Sequence, residues 1–343
     1  MKKTWRRNVL YALVAVLLGL ATVFFPLLGV DLYLHEKFNR KFIGYNYRGY
    51  RGDVLSKKED SVFRVAFLGG STALGYGVGW QQTLPYVLQE NLCAALGPGR
   101  AEVANLGWNV QGVYSFPFTL QAYRDLEADI YVFYQGYNDG GINMSDWRKS
   151  SVCFRLTGYM PIWPLIFREK AGAILSGGRL DDWYRGKVRF NPNLAQKLAA
   201  STLQGMVAGS ESMAGILSAW VDNKVKDAPG EWKDQKNPWA FYLYFTDQSI
   251  QIALSQGGQV LLLGQPRIGS WHQEQQDALR KFWKEKYSKN SSVAYLDLAK
   301  ALDLKDPELA PDGMHLSYAG HQKLAPLVSK VLLQMKCQNT NHK

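Results

Sequence analysis

Apolar and polar positions follow two rhythms along this chain. Short, mostly apolar runs recur at residues 62–68, 102–106, 130–134, 259–263 and 293–298. Runs of this length with turn residues beyond them predict buried strands. Longer stretches with helical character lie between them. Residues 73–92 can carry helix, irregular until past Pro85 because Gly75, Gly77 and Pro85 interrupt it. Another helix starts after Gly112 and includes 120–126, and a longer one covers 194–224. Strands separated by helices predict a parallel sheet with helices on both faces. Such sheets hold ligands beyond the carboxyl ends of their strands. Ser71, Gly112 and Asn138 all fall just past predicted strand ends.

Residues 141–239 break the alternation. They contain Tyr159-Met160-Pro161-Ile162-Trp163-Pro164 and a concentration of tryptophan, and they read as an insertion covering a site. Plain packing onto the sheet explains such a segment. Its aromatic content would also suit sugar faces, an acyl pocket or a membrane surface. Residues 31–61 are polar and aromatic, and their Asn46-Tyr47-Arg48-Gly49-Tyr50-Arg51-Gly52 core reads as an ordered approach loop or a solvated linker.

Near the amino end, residues 9–30 carry no charge. As a helix they would span about 33 Å at 1.5 Å per residue, enough to cross a bilayer. Lys2, Lys3, Arg6 and Arg7 precede them, which places residues 1–8 in the cytoplasm and the rest of the chain on the extracytoplasmic, periplasmic side of the inner membrane. Lys37, Arg40 and Lys41 on the far side work against that orientation. An uncleaved single-pass anchor is favoured over a signal peptide, because the run is long and no small-residue cleavage site follows it. The expected organisation is then an anchor at 9–30, a juxtamembrane segment at 31–61, a main domain at 62–335 and a tail at 336–343.

Composition alters this picture little. The 343 residues are 47% hydrophobic and 20% charged, an ordinary globular balance. The formal net charge of +11 is concentrated around the apolar segment, which fits anionic headgroups. No nucleic-acid motif accompanies it. An acidic polysaccharide is compatible with the charge. Cys93, Cys153 and Cys337 form no metal spacing and no disulfide framework, and Cys93 sits among core-like neighbours. The oligomeric state is not legible.

The candidate chemistry lies at opposite ends of the main domain. Phe67-Leu68-Gly69-Gly70-Ser71-Thr72 sets a serine at a strand-to-helix turn, where glycines allow a sharp bend and unpaired backbone N–H groups meet an anion. Pro311-Asp312-Gly313-Met314-His315-Leu316 sets a carboxylate and an imidazole three residues apart, close enough to meet on one turn. A carboxylate beside an imidazole fixes its tautomer and stabilises the imidazolium formed on proton transfer. Ser71 is the candidate nucleophile, His315 its base and Asp312 the orienting group. The N–H groups of Ser71 and Gly112 and the side-chain amide of Asn138 are candidate donors to an oxyanion, with Gly107 as a rival to Gly112. Asp139 reads as loop support, His321 as a structural residue of the last helix, and His272 as a surface or rim residue. No metal cluster is visible, and serine chemistry needs neither metal nor cofactor.

Gly70-Ser71, Gly112, Gly136-x-Asn138-Asp139 and Asp312-x-x-His315 occur in the order of the four blocks of the SGNH hydrolases, the GDSL-like lipases and esterases, which this chain resembles over most of 62–333 apart from the insertion. The resemblance implies a flavodoxin-like three-layer α/β/α fold and ester hydrolysis or acyl transfer. It implies Ser71, Asp312 and His315 as the triad, with Gly112 and Asn138 in the oxyanion hole. The family's Gly-Asp-Ser is Gly69-Gly70-Ser71 here, a variant similar to that of several membrane-associated bacterial members. The second block, 105–112, is longer than usual.

Three functions follow. The first is a serine esterase acting on an ester, with O-acyl groups of a cell-envelope glycan, lipids and thioesters as candidate substrates. The second is an O-acyltransferase to a glycan, working with a membrane partner. The third is a non-catalytic, membrane-anchored binding protein that keeps the fold.

Overall fold

All five apolar runs form strands in the computed structural model: β1 (Phe63–Gly69), β2 (Ala101–Asn105), β3 (Ile130–Tyr134), β4 (Gln259–Gly264) and β5 (Val293–Asp297). The structure describes residues 2–39, 44–184, 186–222 and 237–340. The strands pair in parallel, in the order β2-β1-β3-β4-β5. This is a doubly wound order whose direction switches between β1 and β3, opening a crevice at their carboxyl ends.

Strand side chains alternate between two cores, because successive residues of a strand point to opposite faces. Val65, Phe67, Val103, Ile130, Val132 and Leu261 pack on one face with the helices Leu84–Leu96 and Tyr318–Thr340. Ala66, Leu68, Tyr131, Phe133 and Leu262 pack on the other, with the helices Phe116–Ala122, Ala240–Ser255 and Ser270–Lys286. Each fully buried leucine or valine side chain contributes on the order of 2 kcal/mol. The sheet is therefore the rigid frame from which the loops at its carboxyl edge are hung.

The stretch expected to carry helix over 73–92 is split by its glycines. One turn, Ser71–Leu74, ends at Gly75 with φ +82°. The chain resumes helix at Leu84, where Thr83 Oγ1 accepts from Tyr86 N–H (3.4 Å) and Pro85 occupies the first turn. Proline is tolerated there because the first N–H groups of a helix lack partners anyway.

The chain divides into two compact units, Met1–Arg40 with Pro161–Val221, and Lys41–Met160 with Asp222–Lys343. The second contains the sheet and keeps 141–160 with it. It also contains 44–61, which is ordered rather than a solvated linker. Arg51 N–H donates to Asn105 O (3.0 Å), Asn46 Nδ2 donates to Gly52 O (2.9 Å), and Tyr50 is buried against Tyr123.

The first unit is helical. Its helix Lys2–Asn39 runs through Pro26 and past the expected boundary at residue 30. Within that unit, buried Asp31 accepts from the backbone N–H groups of Ile162 (2.8 Å) and Trp163 (2.6 Å), at the start of the helix Trp163–Ser176. A carboxylate at a helix amino terminus is favoured by the unpaired N–H groups and the macrodipole. Asp31 also faces His35 at 3.3 Å. Among the described residues no helix is long and apolar enough to cross a membrane. Of the expected anchor, the side chains of Leu13, Val16, Leu17 and Leu20 lie outside the described set. Leu10, Tyr11, Leu18, Val23, Phe24 and Phe25 are exposed.

Candidate active site

The turn that carries Ser71 is shaped by close approaches. A Cβ on Gly69 would lie 2.2 Å from Tyr134 O, and one on Gly70 would lie 2.1 Å from Asn138 Nδ2. The residue before the serine therefore has no room for a side chain, because the Asn138 amide occupies that space. Gly107 packs beneath the same turn, where an added Cβ would lie 2.5 Å from Leu74 N, and its own N–H donates to Asn105 Oδ1 (3.1 Å). The carboxyl end of the turn is held by Arg51. Its buried guanidinium donates to the carbonyls of Leu74 (2.7 Å), Gly75 (2.7 Å) and Val78 (2.6 Å). Burial lowers the Arg51 pKa to about 10, leaving it cationic at neutral pH against carbonyls that carry partial negative charge.

The last loop of the domain brings Asp312 and His315 to this turn. His315 Nε2 lies 2.8 Å from Ser71 Oγ, and His315 Nδ1 lies 2.6 Å from Asp312 Oδ2. Asp312 Oδ1 accepts from the N–H groups of Met314 (3.0 Å) and His315 (2.7 Å), so one carboxylate both shapes the turn and faces the ring. Burial opposes the Asp312 charge. The hydrogen bonds from the His315 side chain and the two N–H groups outweigh it and hold the carboxyl below its usual range. With an ionised carboxylate at Nδ1, that nitrogen carries the proton and Nε2 is free to accept from the serine hydroxyl. The ring of Tyr76 lies 4.9 Å from that of His315.

Gly112 and Asn138 line the facing wall. Asn138 Nδ2 donates to Gln111 O (2.9 Å), and Asp139 Oδ1 accepts from Val113 N–H (2.9 Å). Two consecutive side chains thus pin the backbone on either side of Gly112. A Cβ on Gly112 would lie 2.1 Å from Asp139 Oδ1, so glycine is required there too. Among the described residues, neither Ser71 N–H nor Gly112 N–H donates to another group of the chain. Gly107 N–H, in contrast, is already used. The second proton of Asn138 Nδ2 remains for a ligand. Asp139 is buried, its Oδ2 has no partner, and burial raises its pKa to about 7. Next to this wall, Val110 adopts φ +64° while 64% exposed, and Asn143 Nδ2 donates to its carbonyl (2.8 Å). A β-branched residue in that region is strained.

The remaining histidines separate. His321 lies on the last helix, buried, with Nδ1 2.8 Å from Gln82 O, and burial lowers its pKa to about 4. His272 is not a surface residue. The helix Ser270–Lys286 turns it inward against the Tyr137 ring (4.6 Å), fully buried, with no hydrogen-bond partner at either nitrogen, and burial lowers its pKa to about 4. Sequence reading also passed over Arg51 as a support of the serine turn, Tyr76 beside His315, and the buried glutamines Gln265, Gln275 and Gln276. Nothing in local composition marks these residues.

The arrangement has a definite chemical capacity. A hydroxyl meets an imidazole whose other nitrogen is held by a carboxylate, and backbone N–H groups of Ser71 and Gly112 have no acceptor among the described residues. Such a hydroxyl can be deprotonated during attack on a carbonyl, and the resulting oxyanion can be received.

No protein-family model matches this sequence, and no curated protein matches it. Solved structures to which this chain is similar overall include a family 3 carbohydrate esterase from Clostridium thermocellum (11% identity, 81% of this chain and 98% of that one, TM-score 0.43). They also include the lipase/acylhydrolase of Enterococcus faecalis (14% identity, 79% and 95%, TM-score 0.40) and a GDSL-like lipase of Bacteroides thetaiotaomicron (13% identity, 82% and 92%, TM-score 0.38).

Proposed function

We propose that this chain is a serine esterase of the SGNH type. The observation that carries the reading is the continuous hydrogen-bonded line from Asp312 through His315 to Ser71, at 2.6 and 2.8 Å, at the carboxyl edge of a parallel sheet. His315 Nε2 takes the Ser71 proton as Oγ attacks the ester carbonyl carbon. The tetrahedral oxyanion is received by the N–H groups of Ser71 and Gly112 and by Asn138 Nδ2. Gly112 is preferred to Gly107 because the Gly107 N–H is already engaged. His315 then gives its proton to the departing alkoxide, leaving an acyl-enzyme. Water, activated by the same histidine, releases the acid and restores Ser71.

We extend the reading to location and substrate. The exposed apolar side chains on helix Lys2–Asn39 support its use as a membrane anchor, and the basic residues at its amino end favour the sheet-containing unit facing the extracytoplasmic side. O-acyl groups on a cell-envelope glycan are the esters such a placement would meet.

A fluorophosphonate probe tests the chemistry. Stoichiometric labelling of the wild-type chain, abolished in Ser71→Ala and His315→Ala, is the expected result. A folded wild-type chain that never labels would overturn it. Release of acetate from an acetylated glycan, set against esters of longer acyl chains, tests the substrate class. Retention of the full chain in membranes after alkaline carbonate extraction tests the anchor.

A further inference from the structure

Gly136 opens the loop that presents Asn138, and its missing side chain leaves room for three amides. A Cβ there would lie 2.6 Å from Gln276 Nε2, 2.8 Å from Gln275 Oε1 and 2.9 Å from Gln265 Oε1. All three glutamines are buried. Burying a primary amide is unfavourable unless its donors and acceptor find partners, and a methionine or leucine would fill the same volume without that cost. Where the partners lie is therefore informative.

Gln265 stands just past β4. Its Oε1 accepts from Tyr137 N–H (3.0 Å), and its Nε2 donates to Thr72 Oγ1 (3.1 Å). Its own backbone N–H donates to Gln276 Oε1 (3.1 Å), which fixes where the side chain starts. One side chain thus joins the residue after Ser71 to the residue before Asn138. On the other side of Asn138, Gln275 Nε2 donates to Asp139 O (2.7 Å). The backbone flanking Asn138 is gripped at both neighbours, and one grip reaches across to the serine turn.

Building on the serine-esterase reading above, we propose that Gln265 is a positioning residue: through Thr72 and Tyr137 it holds the nucleophile turn and the oxyanion-binding Asn138 loop at a fixed separation. It touches neither substrate nor the reacting atoms. Its effect is on the distance between Ser71 Oγ, where the new bond forms, and the Asn138 amide, which donates to the substrate oxygen on which negative charge collects. A misplacement of about 1 Å between such groups lowers rates about 100-fold. Because the oxyanion exists only after attack, the loss falls on turnover rather than on ground-state binding.

The experiment compares the full-length wild type with Gln265→Met, Thr72→Val, Thr72→Ser and the double variant Gln265→Met/Thr72→Val. Steady-state hydrolysis of a nitrophenyl ester and fluorophosphonate labelling rates are measured. The expected result is a kcat lower by about 10- to 100-fold in Gln265→Met and Thr72→Val, with KM within about twofold. Thr72→Ser, which keeps the hydroxyl, restores most of the loss of Thr72→Val. The double variant is no slower than the slower single one, because both break the same bridge. A Thr72→Val enzyme with wild-type kcat overturns the proposal, as does a loss that Thr72→Ser fails to restore or a double variant whose losses multiply. If Gln265→Met does not fold, the Thr72 pair decides. A wild type that neither labels nor turns over ester overturns the esterase reading and this coupling together. An active wild type with an unaffected Thr72→Val overturns the coupling alone.

Discussion

Asp312 is 52% exposed and His315 19%, whereas Asp139, Gln265 and Gln275 around Asn138 are at 2%, 1% and 0%. The two arms that meet at Ser71 are thus held by different means. The acid–base arm is a surface turn set by its own local hydrogen bonds, Asp312 to the N–H groups of Met314 and His315. The oxyanion arm is a loop gripped from β4, from the helix Ser270–Lys286 and from the serine turn. Under the proposed chemistry the difference follows from the task. An imidazole that exchanges protons with substrate and water needs access to both. Donors that stabilise a transient charge need only to be in place and unsolvated beforehand.

The contrast can be broken at several points. Asp312→Asn leaves an exposed turn in place but removes the charge that holds the His315 tautomer. It is expected to lower kcat by about 10⁴-fold with almost no change in Tm, as read by steady-state kinetics beside a thermal melt. In the other arm, Asn138→Ala is expected to lower kcat by about 10² to 10³-fold. Gly70→Asp makes the sharper test. Its Cβ would meet Asn138 Nδ2, so supplying the acidic neighbour that the family motif carries is expected to reduce activity as far as Asn138→Ala does. An active Gly70→Asp variant would show that the Asn138 loop moves freely.

Buried titratable groups, two of them beside Asn138 and one on the last helix, set how stability responds to pH. His272 and His321, held near 4 by burial, are neutral in the fold but protonated in the unfolded chain below about 6.5. Asp139, raised to about 7, is protonated in the fold but ionised in the unfolded chain above about 3.9. Between these limits the two histidines favour the unfolded state with two protons as pH falls, and Asp139 offsets one. The net contribution of the three is a loss of about 1.4 kcal/mol per pH unit on acidification. Asp139→Asn removes the offset, so its denaturation free energy should fall with decreasing pH by about 1.4 kcal/mol per unit more than wild type between pH 4.5 and 6. Urea titrations across that range give the comparison. The smallest effect is expected at Val110, where Val110→Gly relieves a left-handed β-branched residue and raises stability by about 1 kcal/mol. A simultaneous loss of activity would place the Val110 side chain in contact with substrate.

Much of the fold was legible because its signals are local. An apolar run of strand length buries itself wherever the chain leads it, and the five runs at 62–68, 102–106, 130–134, 259–263 and 293–298 became β1 to β5. The i, i+3 spacing of Asp312 and His315 likewise lets one turn bring them together without help from elsewhere. Elsewhere, distant partners decided. The helix Lys2–Asn39 carries Asp31 to the N–H groups of Ile162 and Trp163, well over a hundred residues away in the chain. Residues 44–52 are ordered because Arg51 finds the carbonyls of Leu74, Gly75 and Val78. His272 reads as a rim histidine until Tyr137 packs against it.

The residue types and order of the candidate site, Ser71, Gly112, Asn138, Asp312 and His315, are therefore written along the chain, as are the strands that carry three of them to one edge. Tertiary structure alone decided that Gly112 N–H is left open, that a side chain on Gly70 would meet the Asn138 amide, and that Gln265 bridges Thr72 and Tyr137. The reason is physical: periodicity and turn chemistry act within a few residues. Which donor is left unpaired and which side chain has no room depend on atoms brought together from segments tens to hundreds of residues apart.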